Sequence, residues 1–218
     1  MTLWRKFWTH ALYWRFWLFQ RHRYDRLSLE RVGDIDLLVM PQVFNPAIFR
    51  TGEMLINHAR PYITAQTRVL DMGTGSGYGA VACAKHTSHV TAVDINPHAV
   101  TCATINSLLN DVSITVHEGD LFAPVDNRQF DLILFNPPFF DGTPTTPLDH
   151  AWRSVDVIPR FINGLSAHLT PNGCALVVLS SKGNIAQFLQ LCADADVRVA
   201  EIAKRDTLNE WVHIYRLR

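Results

Sequence analysis

From residue 68 onward, short apolar runs alternate with segments whose apolar residues recur at helical spacing. The runs near Arg68–Asp71, His89–Asp94, Ser113–His117, Phe130–Phe135, Gly173–Leu179, Val197–Ala203 and Trp211–Arg216 are strand-like. Helical segments fit between most of them, near Tyr78–His86, Pro97–Leu109, Asp156–His168 and Asn184–Ala193. This alternation predicts an α/β fold with a mostly parallel seven-stranded sheet and helices on both faces. About seven residues separate the last two runs, too few for a parallel crossover. Those strands are expected to pair antiparallel, leaving one reversed strand at the end of the sheet.

Upstream, Leu27 to Met40 reads as two short strands around the tight turn Gly33-Asp34. Pro41 to Phe49 is irregular, and Thr51 is placed to cap a helix that runs to about Arg60 and stops at Pro61. The first stretch differs in character, because Trp4 to Phe19 holds four of the six tryptophans. Trp4, Phe7, Trp8, Ala11, Leu12, Leu18 and Phe19 follow helical spacing and predict an amphipathic helix. Arg5, Lys6, His10 and Arg15 exclude a membrane span, and no uncharged run followed by small residues marks a signal peptide. Such a helix is expected to pack on the main domain or across a homodimer; a membrane surface or a partner is the alternative use of its basic, aromatic face. The chain thus divides into an N-terminal helix (1–27), a hairpin and helix (28–66) and an α/β core (67–218).

Composition narrows the partners. Hydrophobic residues make up 48% and charged ones 18% of the chain, which places it among compact globular proteins. Formal net charge is zero, which disfavours a partner held mainly through phosphates. The balance is uneven, however: up to Arg31, seven basic residues face only Asp25 and Glu30, so any attraction to acidic partners resides there. Cys83, Cys102, Cys174 and Cys192 form no C-x-x-C pair, so neither a disulfide framework nor a zinc knuckle is indicated, and a reducing cytoplasm is the expected home. Cys83, His86 and His89 recur at intervals of three but lack a fourth ligand, and no metal is expected.

The strongest chemical signal is Val69-Leu70-Asp71-Met72-Gly73-Thr74-Gly75-Ser76-Gly77-Tyr78-Gly79, an apolar strand that runs into a glycine-rich turn and then a helix. Glycines there let a ligand approach the backbone and meet helix N-terminal N–H groups. Asp94, followed by Ile95, ends the next strand, where a carboxylate can accept hydrogen bonds from both hydroxyls of a ribose. Asp120 ends the third and can accept from an adenine amino group, with Leu121 or Phe122 against the ring. The bland alternative is that both acids merely cap helices. Asn136-Pro137-Pro138-Phe139 follows the strand Phe130–Phe135 and therefore sits at the carboxyl edge of the sheet, where open α/β folds bind ligands.

The run Asp71–Gly77, with Asp94, Asp120 and Asn136-Pro137-Pro138-Phe139, resembles the Rossmann-like class I S-adenosylmethionine methyltransferases. Among these the chain is most similar to the HemK family of release-factor glutamine methyltransferases, in its compact branch without a large N-terminal helical domain. The resemblance spans roughly Val43 to the C-terminus and includes Asn45-Pro46…Thr51 and Asp149-His150-Ala151-Trp152. It implies S-adenosylmethionine as cofactor, held by Asp71, Gly73, Thr74, Gly75, Ser76, Gly77, Asp94, Ile95, Asp120, Leu121, Asn136 and Thr51. It also raises a small activating partner that covers an apolar surface.

The motif implies a planar nitrogen as acceptor, with Asn136, Pro137 and Phe139 as the catalytic residues. An amide or aromatic amine lone pair is delocalised; if the Asn136 side-chain oxygen and the Pro137 carbonyl accept its two hydrogens, the lone pair turns out of the plane toward the methyl donor. Phe139 offers a flat face for stacking, and Pro138, Phe140 and Trp152 complete the substrate side. Two departures bear on the acceptor: Phe139 stands where many members carry Tyr, and Arg153-Ser154-Val155-Asp156 replaces a glycine-rich run. A protein substrate with an exposed glutamine loop is the first expectation. A base in RNA or DNA, a small molecule, and an inactive cofactor-binding scaffold are the alternatives.

Overall fold

The computed structural model describes residues 26–146 and 148–218, together with Trp8 and Trp14. The predicted aromatic helix falls almost wholly outside the described residues. Two strands, β1 (Ser28–Val32) and β2 (Ile35–Val39), form the expected hairpin, with Gly33 in the turn at φ +63°. Helix α1 (Thr51–Ala59) follows. Its N-cap position is Arg50, and no side chain caps it, so the expectation that Thr51 serves as the cap is corrected: Thr51 is the first helical residue and its hydroxyl is used elsewhere.

The α/β region runs β3 (Val69–Met72), α2 (Tyr78–Ala84), β4 (Val90–Asp94), α3 (Pro97–Leu109), β5 (Thr115–Glu118) and β6 (Phe130–Phe135). A small parallel pair follows, β7 (Phe140–Asp141) with β8 (Arg153–Ser154). The chain ends with α4 (Val157–His168), β9 (Leu169–Ser180), α5 (Ile185–Asp194), β10 (Val199–Asp206) and β11 (Trp211–Leu217). Seven strands form one sheet in the order β10-β11-β9-β6-β3-β4-β5.

The fold class is as expected, but the reversed strand is not at the sheet's end. β11 pairs antiparallel with both β9 and β10, so it lies one place in from the edge. Its residues Val212, Ile214, Tyr215 and Leu217 are buried, as a strand with neighbours on both sides requires, whereas no residue of β10 is buried. The hairpin turn therefore folds β10 outward.

β3 sits between β4 and β6, and every one of its residues is buried. Successive strands leave it in opposite directions, which opens a crevice at its carboxyl end. The register sets what meets there: Met72 pairs with Val93 on one side and with Phe135 on the other. Gly73, Asp94 and Asn136, each the next residue along, consequently stand side by side. The β1–β2 hairpin and α1 share one apolar core with the sheet, through Val32, Leu37, Leu55 and Ile56 packed with Val69 and Leu132. Asn106 of α3 fixes the hairpin: its Oδ1 accepts from Leu38 N at 2.7 Å, and its Nδ2 donates to the carbonyls of Leu38 and Ser76, each at 2.8 Å.

Candidate active site

The crevice is a cavity of about 560 Å³ bounded by the glycine turn, the ends of β4 and β6 and the loop after the Asn136 motif. All of Asp71, Gly73, Thr74, Gly75, Ser76, Asp94, Ile95, Asp120, Leu121, Asn136, Pro137, Pro138, Phe139, Phe140, Trp152 and Thr51 line it. Gly77 does not; it serves as the N-cap of α2 with φ +83°. Phe122, offered beside Leu121 as a wall for an adenine, is instead in the core, stacked on Phe161 and His168.

The turn is shaped from beneath. Thr74 Oγ1 donates to Asp71 Oδ2 at 2.6 Å and Ala80 N donates to the same oxygen at 2.8 Å. A Cβ on Gly79 would stand 2.8 Å from that oxygen. Asp71 and the Thr74 hydroxyl thus spend their hydrogen bonds on holding the loop, as do the N–H groups of Thr74, Gly75 and Gly77, which donate to the Val93 carbonyl, Asp94 Oδ2 and the Thr74 carbonyl. Burial lifts the Asp71 pKa to about 6, against the lowering effect of its two donors.

That shift has a sign. The native pKa lies above the unfolded value of 3.8, so the folded state binds the extra proton between the two. The contribution of Asp71 to stability is complete below about pH 4 and is lost as pH rises through about 6, a change of roughly 3 kcal/mol. In urea denaturation across this window, the stability advantage of the native chain over Asp71→Asn should shrink by about that amount. A difference independent of pH would show that Asp71 does not titrate there.

Asp94 is committed to the turn at one oxygen and to the next loop at the other. Oδ2 accepts from Gly75 N at 2.8 Å, and Oδ1 accepts from Asn96 N at 2.9 Å. Burial raises its pKa from the ordinary Asp value, against the lowering effect of the Asn96 and Gly75 N–H groups. Each oxygen retains a lone pair for a ligand hydroxyl. Asp94 caps no helix; that role belongs to Asn96, whose Oδ1 accepts from His98 N at the start of α3. Asp120 has a partner the sequence reading missed: Arg160 of α4 donates to its Oδ2 at 2.7 Å, and Arg160 also approaches Asp156 at 3.6 Å.

Asn136 is the sharpest feature. Its Nδ2 donates to Thr51 Oγ1 at 3.1 Å, while its Oδ1 is buried and accepts no hydrogen bond. A buried acceptor without a donor costs about 1–3 kcal/mol unless a ligand supplies one. Phe139 packs partly into the core, and Phe140 remains exposed at the rim. Over the glycine turn, Phe44, Phe49 and Trp152 form a ring cluster with centroids 4.9–5.4 Å apart. Trp152 was expected on the substrate side, but Phe44 and Phe49 come from a stretch that reads only as irregular. Two phenylalanines in a stretch without strand or helix period were the one available signal.

The four cysteines are buried free thiols. Among the described residues, no three His, Cys, Asp or Glu side chains converge as metal ligands, and no helix is long and apolar enough to cross a membrane.

Residues 34–205 match the family model described as a methyltransferase small domain. A protein of Methanocaldococcus jannaschii that bears the name of a protein N5-glutamine methyltransferase is 33% identical over 160 residues, covering 69% of this chain and 78% of that protein. The release factor glutamine methyltransferase of Geobacter sulfurreducens is 30% identical over 168 residues, covering 70% of this chain and 58% of its own length. Among solved structures, the T. thermophilus 16S rRNA N2 methyltransferase in complex with AdoMet and guanosine superposes with a TM-score of 0.64 at 22% identity, covering 87% of this chain and 49% of that one. This last likeness is one of fold.

Proposed function

Because the chain belongs to the methyltransferase small domain family, we propose that it transfers a methyl group from S-adenosylmethionine to the side-chain amide nitrogen of a glutamine in a protein. The observation that carries the reading is Asn136: a fixed amide whose buried oxygen lacks a donor, at the carboxyl end of β6 and beside the glycine turn. Relatives named for glutamine methylation favour the amide acceptor.

The residues present fit the cofactor. The cavity has room for a nucleoside, Asp94 keeps lone pairs for ribose hydroxyls, and the turn from Gly73 to Ser76 lines the cavity with glycines that let a ligand approach the backbone. Asp71 and Thr74 act in this reading through the loop they shape. When bound, S-adenosylmethionine supplies an electrophilic methyl carbon on a sulfonium.

The chain's own part is to make a poor nucleophile reactive. Thr51 holds the Asn136 amide so that Oδ1 faces the acceptor, and that oxygen together with the Pro137 carbonyl takes the two amide hydrogens. Accepting both hydrogens raises the electron density on nitrogen, and fixing the NH2 group directs its lone pair at the incoming carbon. Phe139 stacks on the amide plane and excludes water. No strong base is required, because the methylated cation releases its proton readily. Residues 67–218 form the catalytic core in this scheme and 28–66 cover its cofactor end.

The test is to incubate the enzyme with a cell extract and isotopically labelled methyl donor and to locate the label by mass spectrometry. Label on a glutamine side chain is expected. Label confined to RNA would replace the glutamine reading with base methylation, to which Phe139 and the rRNA enzyme's fold are equally suited.

A further inference from the structure

Asn136 and Pro137 furnish the acceptors for the reacting amide, yet the cavity has a further polar wall made by Lys182, Asn209 and Glu210. These residues belong to two segments clamped together. Ser181 N donates to the Trp211 carbonyl at 2.8 Å, and Trp211 N donates to Ser181 Oγ at 2.9 Å. The turn between β10 and β11 is closed by Thr207, whose N and Oγ1 both donate to the Glu210 carbonyl at 2.9 Å. Leu208 holds φ +72° within it, a conformation that leucine adopts only when its surroundings impose it.

Glu210 is half-buried, and its Oε2 accepts a short hydrogen bond from Ser180 Oγ at the end of β9. Among the described residues no cation lies within ion-pair distance of it. Gly183 ties this carboxylate to the catalytic motif. A Cβ on Gly183 would stand 2.8 Å from the Phe139 carbonyl oxygen and 3.4 Å from that of Ser180. Ser180, which anchors Glu210, is therefore about one residue's breadth from Phe139.

A carboxylate partly removed from water, with one hydrogen bond and no ion pair among the described residues, keeps lone pairs that N–H groups can meet. Asn136 and Pro137 already take the hydrogens of the reacting amide, so the donors that Glu210 can receive come from elsewhere on the acceptor. A negative charge here favours an acceptor that offers N–H groups over one lined with phosphates. Resting on the glutamine reading above, we propose that Glu210 determines specificity by accepting hydrogen bonds from N–H groups of the substrate polypeptide beside the methylated glutamine.

Glu210→Gln keeps an oxygen for Ser180 to donate to and removes the charge, so the fold is retained; an unchanged melting temperature checks this. The probe is the protein that takes up label in the extract, purified in unmethylated form. With Glu210→Gln, KM for that protein is expected to rise by about tenfold or more, with kcat and cofactor affinity changed by less than about threefold. A KM within about threefold of the native value, or a loss confined to kcat, overturns the proposal and leaves the glutamine reading standing. Glu210→Ala that lowers the melting temperature without raising KM shows a structural role, and also overturns it. Label entering RNA alone defeats both the proposal and the reading on which it rests.

Discussion

Replacing Asn136 with alanine is expected to lower turnover by a factor of about a hundred to a thousand, the cost of removing one preorganised group aimed at the reacting atoms. Affinity for S-adenosylmethionine should change little, because the glycine turn and Asp94 remain intact. The separation follows from the geometry. Asn136 touches the turn only by adjacency across the sheet register, whereas its one side-chain hydrogen bond runs to Thr51 and its oxygen is buried without a donor. Single-turnover rates with labelled donor and calorimetric titration of the cofactor measure the two quantities independently. Near-native turnover in Asn136→Ala would remove the proposed mechanism. Lost cofactor affinity with the chemistry otherwise intact would reassign the residue to binding.

The largest effect on folding is expected at Gly77. Its φ of +83° already penalises any side chain, and an added Cβ would lie 2.7 Å from Ala103 Cα and 2.9 Å from Ala103 Cβ. The obstacle is helix backbone, which cannot rotate away. Left-handed strain of about 1–2 kcal/mol and overpacking of about 1–3 kcal/mol together put Gly77→Ala at roughly 2–5 kcal/mol of lost stability. Relief requires α3 to shift, and α3 carries Asn106, which bonds to both Ser76 and the hairpin; cofactor affinity should therefore fall as well. Gly73→Ala is the control. Its φ is +63° but its Cβ would meet only Phe135 Cε2 at 3.7 Å, so strain alone remains. Equal urea midpoints for the two variants would show that the Ala103 contact is not what makes glycine necessary at 77.

Sequence spacing located the Asn136 motif and the glycine turn because each is a local pattern: a buried strand followed at once by residues that break it. Phe130–Phe135 and Pro97–Leu109 were legible to the residue for the same reason, with abrupt changes of hydrophobic period at both ends. Thr51 shows where such reading goes astray. A threonine before a helical run is locally a cap, but its hydroxyl is taken by Asn136, 85 residues away. Asp120 likewise reads as a lone acid at a strand end, and only the packing of α4 gives it Arg160.

What the amino-acid order determined by itself is the set of elements and the chemistry placed at their carboxyl ends, since hydrophobic period and glycine or proline breaks act over a few residues. Where those ends lie relative to one another was decided by tertiary structure. The strand order puts β4 and β6 on either side of β3, the register brings Gly73, Asp94 and Asn136 abreast, and the outward fold of β10 carries Glu210 to the same cavity. Pairings of that kind join residues far apart in the chain, and their partners are selected by which buried faces and backbone donors remain to be satisfied once the whole sheet has formed.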